Sequence, residues 1–127
     1  MNISPHLHAV AQATVDGLMR EVKGVRAVVV STEDGFEVTG RIENTAKVAQ
    51  LSAVASSLAA LGSLSGEESN LGACSSVTVE AANGHVVMVQ ARHREVDLIL
   101  SVVAGRDAVI GQVLYFAKQA ARTLAQA

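Results

Sequence analysis

Hydrophobic positions along this chain follow two periods, and the points where the period changes mark the elements. Ser4 followed by Pro5 reads as an N-cap with proline at the first helical position, and Leu7, Val10/Ala11, Thr14, Leu18 and Val22 continue at helical spacing. A first helix is predicted to run to Lys23 and stop at Gly24, with Gln12, Asp16, Arg20 and Lys23 on its outer face. Residues 25–31 are apolar on both parities, Glu33-Asp34-Gly35 supplies a turn, and Phe36 and Val38 alternate with Glu37 and Thr39. That pattern predicts a β-hairpin whose first strand is buried on both faces. Asn44 can cap a second helix that continues to about Leu64, where the Gly/Glu/Ser/Asn segment 65–70 breaks it. The period then becomes two. Val77, Val79 and Ala81 oppose Ser76, Thr78 and Glu80, Asn83-Gly84 is a strong hairpin signal, and residues 86–91 return as the partner strand. Residues 92–95 form a charged turn, residues 97–104 are again apolar on both parities, and Ile110, Val113, Leu114, Ala117, Ala121 and Leu124 mark a closing amphipathic helix with Lys118 and Arg122 on its wet side.

The predicted order is α-β-β-α-β-β-β-α, an α+β fold in a single domain spanning residues 1–127. Strands apolar on both faces must be covered on both faces, so the expected architecture is a five-stranded antiparallel sheet between helical layers. The two terminal helices should share one face, leaving the middle helix alone on the other. A lone helix covers only part of such a sheet, and a second chain would complete that layer.

The middle helix is unusual. Residues 48–66 carry no charge on any face. Val48, Leu51, Val54/Ala55, Leu58 and Leu61 read as a core stripe, opposite a stripe of Ala49, Ser52, Ala53, Ser56, Ala60 and Ser63 where a surface helix would show Lys and Glu. Two readings stand: a protein-binding surface on the small-residue stripe, or a helix fully buried in its own domain. On the first, Ala53→Glu or Ser56→Glu should spare the fold and harm partner binding, whereas Val54→Asp or Leu58→Asp should unfold the domain by burying an unpaired charge.

Composition narrows the classes. Ten basic and twelve acidic residues leave no strong field to attract nucleic acid or an anionic membrane, and with two Phe, one Tyr and no Trp there are few stacking platforms for single strands. No secretory leader pattern is apparent, and no continuous apolar run approaches the ~18 residues of a membrane span. A soluble cytoplasmic protein is expected, with no nucleic-acid or membrane partner. The single Cys74 excludes an internal disulfide framework and reads as a small buried hydrophobe, or as an interface residue if the third strand pairs with its copy.

No catalytic constellation emerges. Phosphate-loop and dinucleotide-fold glycine motifs are absent, so neither nucleotide binding nor GTPase activity by this chain is supported. His6 and His8 diverge on a helix, His85 and His93 flank a strand, and none has metal-ligand spacing. Glu67 and Glu68 read as solvated loop residues, and Arg92-His93-Arg94 as a solvated turn or a basic tip for an acidic partner. No cofactor, metal or catalytic residue is expected.

The segments GVRAVVVS (24–31) with Asp34-Gly35-Phe36, LSAVASSL (51–58) and IGQVLY (110–115) resemble the Roadblock/LC7 domain, in the same element order and across nearly the whole chain. The likeness is nearest to bacterial members that accompany small Ras-like GTPases. It implies a profilin-like fold and a homodimer in which third strands pair into one sheet and middle helices lie side by side as a platform for a GTPase. In that arrangement Cys74, Ser76 and Thr78 join Ala49, Ser52, Ala53, Ser56, Ala60 and Ser63 at the dimer or partner interface. The implied function is a non-catalytic regulator or scaffold that biases the nucleotide cycle of a small Ras-like GTPase. The alternative is a structural adaptor for a motor, kinase or polarity protein without nucleotide dependence.

Overall fold

The computed structural model describes residues 3–42 and 48–127. They form α1 (Pro5–Glu21), β1 (Val25–Thr32), β2 (Glu37–Ile42), α2 (Val48–Glu68), β3 (Ser76–Ala81), β4 (Gly84–Arg92), β5 (Asp97–Gly105) and α3 (Ile110–Ala125), in the order anticipated. The expected Asn44 cap lies outside the described residues.

Local chemistry sets the ends. Ser4 Oγ accepts the Leu7 N–H at 3.1 Å and Pro5 opens α1. The helix stops at Glu21, two residues before Lys23, because Val22 has already turned extended. Gly24 follows at φ 85°, where a Cβ would fall 2.6 Å from Ala108.

The five strands lie in the order β2-β1-β5-β4-β3, all antiparallel. The doubly apolar segments β1 and β5 are adjacent inner strands and are buried along almost their whole length. On one face α1 and α3 pack together over the sheet. Leu7, Val15 and Leu18 from α1 and Val113, Ala117 and Leu124 from α3 meet Val28, Val30, Leu98, Leu100 and Val102. Each fully buried side chain of this kind contributes about 1.5–3 kcal/mol of hydrophobic stabilisation, so this layer holds most of the core.

The other face belongs to α2 alone, and its core is thin: Ala55, Ala59, Met88 and Ile99, with Leu58 and Val77 at the rim. Here the expected stripes are corrected. Ser52, Ala55 and Ala59 face the sheet, while Val54 and Leu61, assigned to the core by their size, are 52% and 63% exposed. The reason is distance. A Cβ on Gly62 would stand 2.7 Å from Cys74 Sγ and 2.8 Å from Val77 Cγ2, and one on Gly66 would collide with the Gly72 carbonyl oxygen. The line Ser52-Ala55-Ala59-Gly62-Gly66, spaced three and four apart, lets the α2 backbone lie close to the sheet, and the larger residues turn outward.

α2 also runs one turn beyond Leu64. It ends in a Schellman motif: Asn70 adopts φ 59°, its N–H donates to the Glu67 carbonyl at 3.1 Å, and the Leu71 N–H donates to the Gly66 carbonyl at 2.8 Å. Gly66, expected to help break the helix, is therefore the third residue from the end of a properly capped one.

Candidate partner-binding surface

The outward side of α2 carries Gln50, Ala53, Val54, Ser57, Ala60, Leu61 and Leu64, and its first charged residue is Glu67. Leu64 is 53% exposed, close to the value for Val54. The apolar surface continues past the helix end to Leu71, 83% exposed, and onto β3 through Val79. Among the described residues β3 pairs only with β4, and its other backbone edge is open. A helix face without charge beside an open strand edge is a surface suited to protein contact, because exposed apolar area is costly in water and an open edge presents unpaired backbone donors and acceptors to a second strand.

The residues expected at this interface divide. Ala49, Ala53 and Ala60 are exposed on α2, and Ser56 and Ser63 are half-buried at its flank. Ser56 Oγ donates to the Glu33 carbonyl at 2.8 Å and so ties α2 to the β1–β2 turn. Ser52 is fully buried, its Oγ bonded back to the Val48 carbonyl at 2.8 Å, and it is turned away from any partner of this face. Cys74 is half-buried against Gly62, with Sγ 3.4 Å from the Ser76 carbonyl. Ser76 and Thr78 sit opposite Val89 and Val87, which face the α1–α3 layer, so they lie on the other side of the sheet from α2.

Beneath α2 the sheet is partly polar. Ser31 and Ser101 are buried, and their hydroxyls find no hydrogen-bond partner among the described residues. A buried hydroxyl left in that state costs about 1–3 kcal/mol. Together with the thin apolar cluster, this makes α2 the least firmly held of the three helices.

Electrostatics add little to the site. The Arg92-His93-Arg94 turn is not a uniform basic tip. Arg92 pairs with Asp97 at 3.5 Å, and His93 is buried, accepting the Glu95 N–H at Nδ1 while Nε2 lies 2.6 Å from the Ala127 carbonyl oxygen. With Nδ1 accepting, Nε2 carries the proton. The Glu95 carboxyl is held below its ordinary range by hydrogen bonds from Ser4, whose N–H donates to it at 3.1 Å. No group of three or more His, Cys, Asp or Glu residues that could hold a metal occurs among the described residues.

By length and composition α2 could cross a membrane, with a mean hydropathy of 1.4, although it contains no continuous apolar run because serines and glycines interrupt it. Its inner line is occupied by contacts with all five strands.

Leu61, expected on the core stripe by its size, is a surface residue, and Leu64 lies exposed one turn further on. The usable signal was Gly62 and Gly66, four apart inside a helix. Each costs about 1 kcal/mol relative to alanine, a cost tolerated where another backbone must come close.

Solved structures share this fold. The gliding protein MglB from Thermus thermophilus superposes with a TM-score of 0.85 at 16% identity, over 98% of this chain and 92% of that one. Myxococcus xanthus MglB gives 0.84 at 13% identity, over 99% and 92%. A Roadblock/LC7 domain from Streptomyces avermitilis gives 0.79 at 22% identity, over 88% and 92%. No curated protein sequence matches the chain. The Roadblock/LC7 domain model matches residues 11–104, from within α1 through nearly all of β5. The chain belongs to the Roadblock/LC7 domain family.

Proposed function

We propose that this protein is a non-catalytic, homodimeric regulator or scaffold that binds a small Ras-like GTPase and biases its nucleotide cycle. The observation that carries the reading is the outward face of α2, which is apolar through Val54, Leu61 and Leu64 and bears no charge before Glu67. Pairing of β3 edges from two copies would extend the sheet and bring two such faces together, a closed two-fold arrangement that covers both β3 edges. The likeness in fold to proteins named MglB, one of them in a tetrameric arrangement, supports assembly of copies.

Without Arg or Lys on the outer side of α2, the platform has no side chain to supply to a hydrolytic transition state as an arginine finger does. Regulation then rests on differential affinity. A platform that binds one arrangement of the GTPase switch segments more tightly shifts the population toward it, and one that binds both equally shifts nothing.

The test is binding of the purified protein to its GTPase loaded with GDP or with a non-hydrolysable GTP analogue, alongside the mass in solution by light scattering. A dimer that prefers one nucleotide state is expected. Equal affinity for both states would reduce the protein to an adaptor, and a monomer that binds no GTPase would overturn the proposal.

A further inference from the structure

The opposite layer has a surface of different chemistry. α3 lies over β4 and β5 and leaves β3 uncovered on that side. Between the C-terminal half of α3 and the start of β3 runs a groove of about 300 Å³, lined by Ser75, Val89, Gln90, Lys118, Ala121, Arg122 and Ala125. The apolar part of its floor is the edge of the core at Val89 and Ala121, with half-buried Ala125 beside them. Its α3 wall is cationic. Lys118 and Arg122 are exposed, stand four residues apart on that wall, and form no ion pair among the described residues, unlike Arg20, Arg26, Arg41 and Arg92. On this side of β3 the acidic residue is Glu80, at the far end of the strand and 3.7 Å from His85.

Spacing selects the occupant. Residues four apart on a helix stand about 6 Å apart. Alternate residues of an extended chain are separated by about 6.6 Å and point to the same side. We propose that this groove seats an extended acidic segment of a partner protein, with carboxylates two residues apart on Lys118 and Arg122 and the intervening apolar side chains on Val89 and Ala121. A compact anion could meet the two cations but would leave the apolar floor unused. The segment would lie over the sheet, so the in-plane edge of β3 stays free for strand pairing.

The probe is a fluorescein-labelled peptide of alternating valine and glutamate, titrated into the intact protein at low salt and followed by anisotropy and by amide shifts. Saturable binding is expected, with shifts near Ser75, Val89 and Arg122. Binding should weaken at least tenfold in the Lys118→Ala/Arg122→Ala double variant and stay unchanged in Leu61→Glu. The Lys118→Glu/Arg122→Glu variant, which alters only exposed positions, should instead take the matching valine-lysine peptide. Absence of saturable binding, binding indifferent to the double alanine variant, or shifts centred on α2 would overturn the proposal. Inorganic phosphate that displaces the peptide and reproduces its shifts would also overturn it, in favour of a small-anion site.

Discussion

Cys74 Sγ lies 2.7 Å from the point where a side chain on Gly62 would begin, so α2 meets the loop before β3 backbone against side chain. Gly62→Ala gains about 1 kcal/mol of helix propensity, and overpacking costs about 1–3 kcal/mol. A net loss of stability is expected in urea unfolding. Adding Cys74→Ala should recover part of it, with the Val77 contact accounting for the rest.

Under the proposed function, the two faces of α2 separate folding from binding. Val54→Glu and Leu61→Glu place charges in water and should leave stability within about 0.5 kcal/mol, while GTPase binding is lost. Ala59→Glu puts an unpaired charge against Met88 and Ile99 and should unfold the domain. Circular dichroism and a pull-down on the same preparations distinguish the two outcomes. Val54 is 52% exposed, so a charge there should be tolerated, contrary to the expectation from its size.

Ser101 contributes a buried hydroxyl without a partner among the described residues. Ser101→Ala should therefore be neutral or should stabilise the fold by up to about 1 kcal/mol. The polar layer also predicts an order of local opening: amides of α2 should exchange with solvent faster than those of α1 and α3, measured by hydrogen exchange.

Glu95 links pH to the start of α1. Its carboxyl is held below the ordinary value of 4.5 by the hydrogen bonds from Ser4. A depressed carboxyl contributes stability above the unfolded value and loses it as pH falls through the folded value. Thermal unfolding of the wild type should therefore weaken below about pH 4.5, and part of that dependence should vanish in Glu95→Gln.

Much of this fold was legible in residue order. Residues 25–31 and 97–104, apolar on both parities, had to be inner strands, and they are β1 and β5. From them followed the two-sided covering and the isolation of α2. The facing of α2 was not legible from size, because residues 48–66 carry no charge to mark a wet side and the orientation is decided by how closely Gly62 and Gly66 let the helix sit. The length of α2 was hidden for a related reason: Asn70, in the left-handed region, supplies the cap that permits one more turn. The contacts of His93 with Glu95 and Ala127 join a turn to the distant end of α3, and no local pattern encodes a meeting of that kind.

The inward line of α2 is built from serine, alanine and glycine, the smallest side chains available. Its outward residues carry little of the fold, so the leucines at 61 and 64 can be exchanged for other side chains without repacking the sheet. Within this helix the fold thereby rests on the inner residues alone, and the outer set is free to change its chemistry without disturbing the sheet.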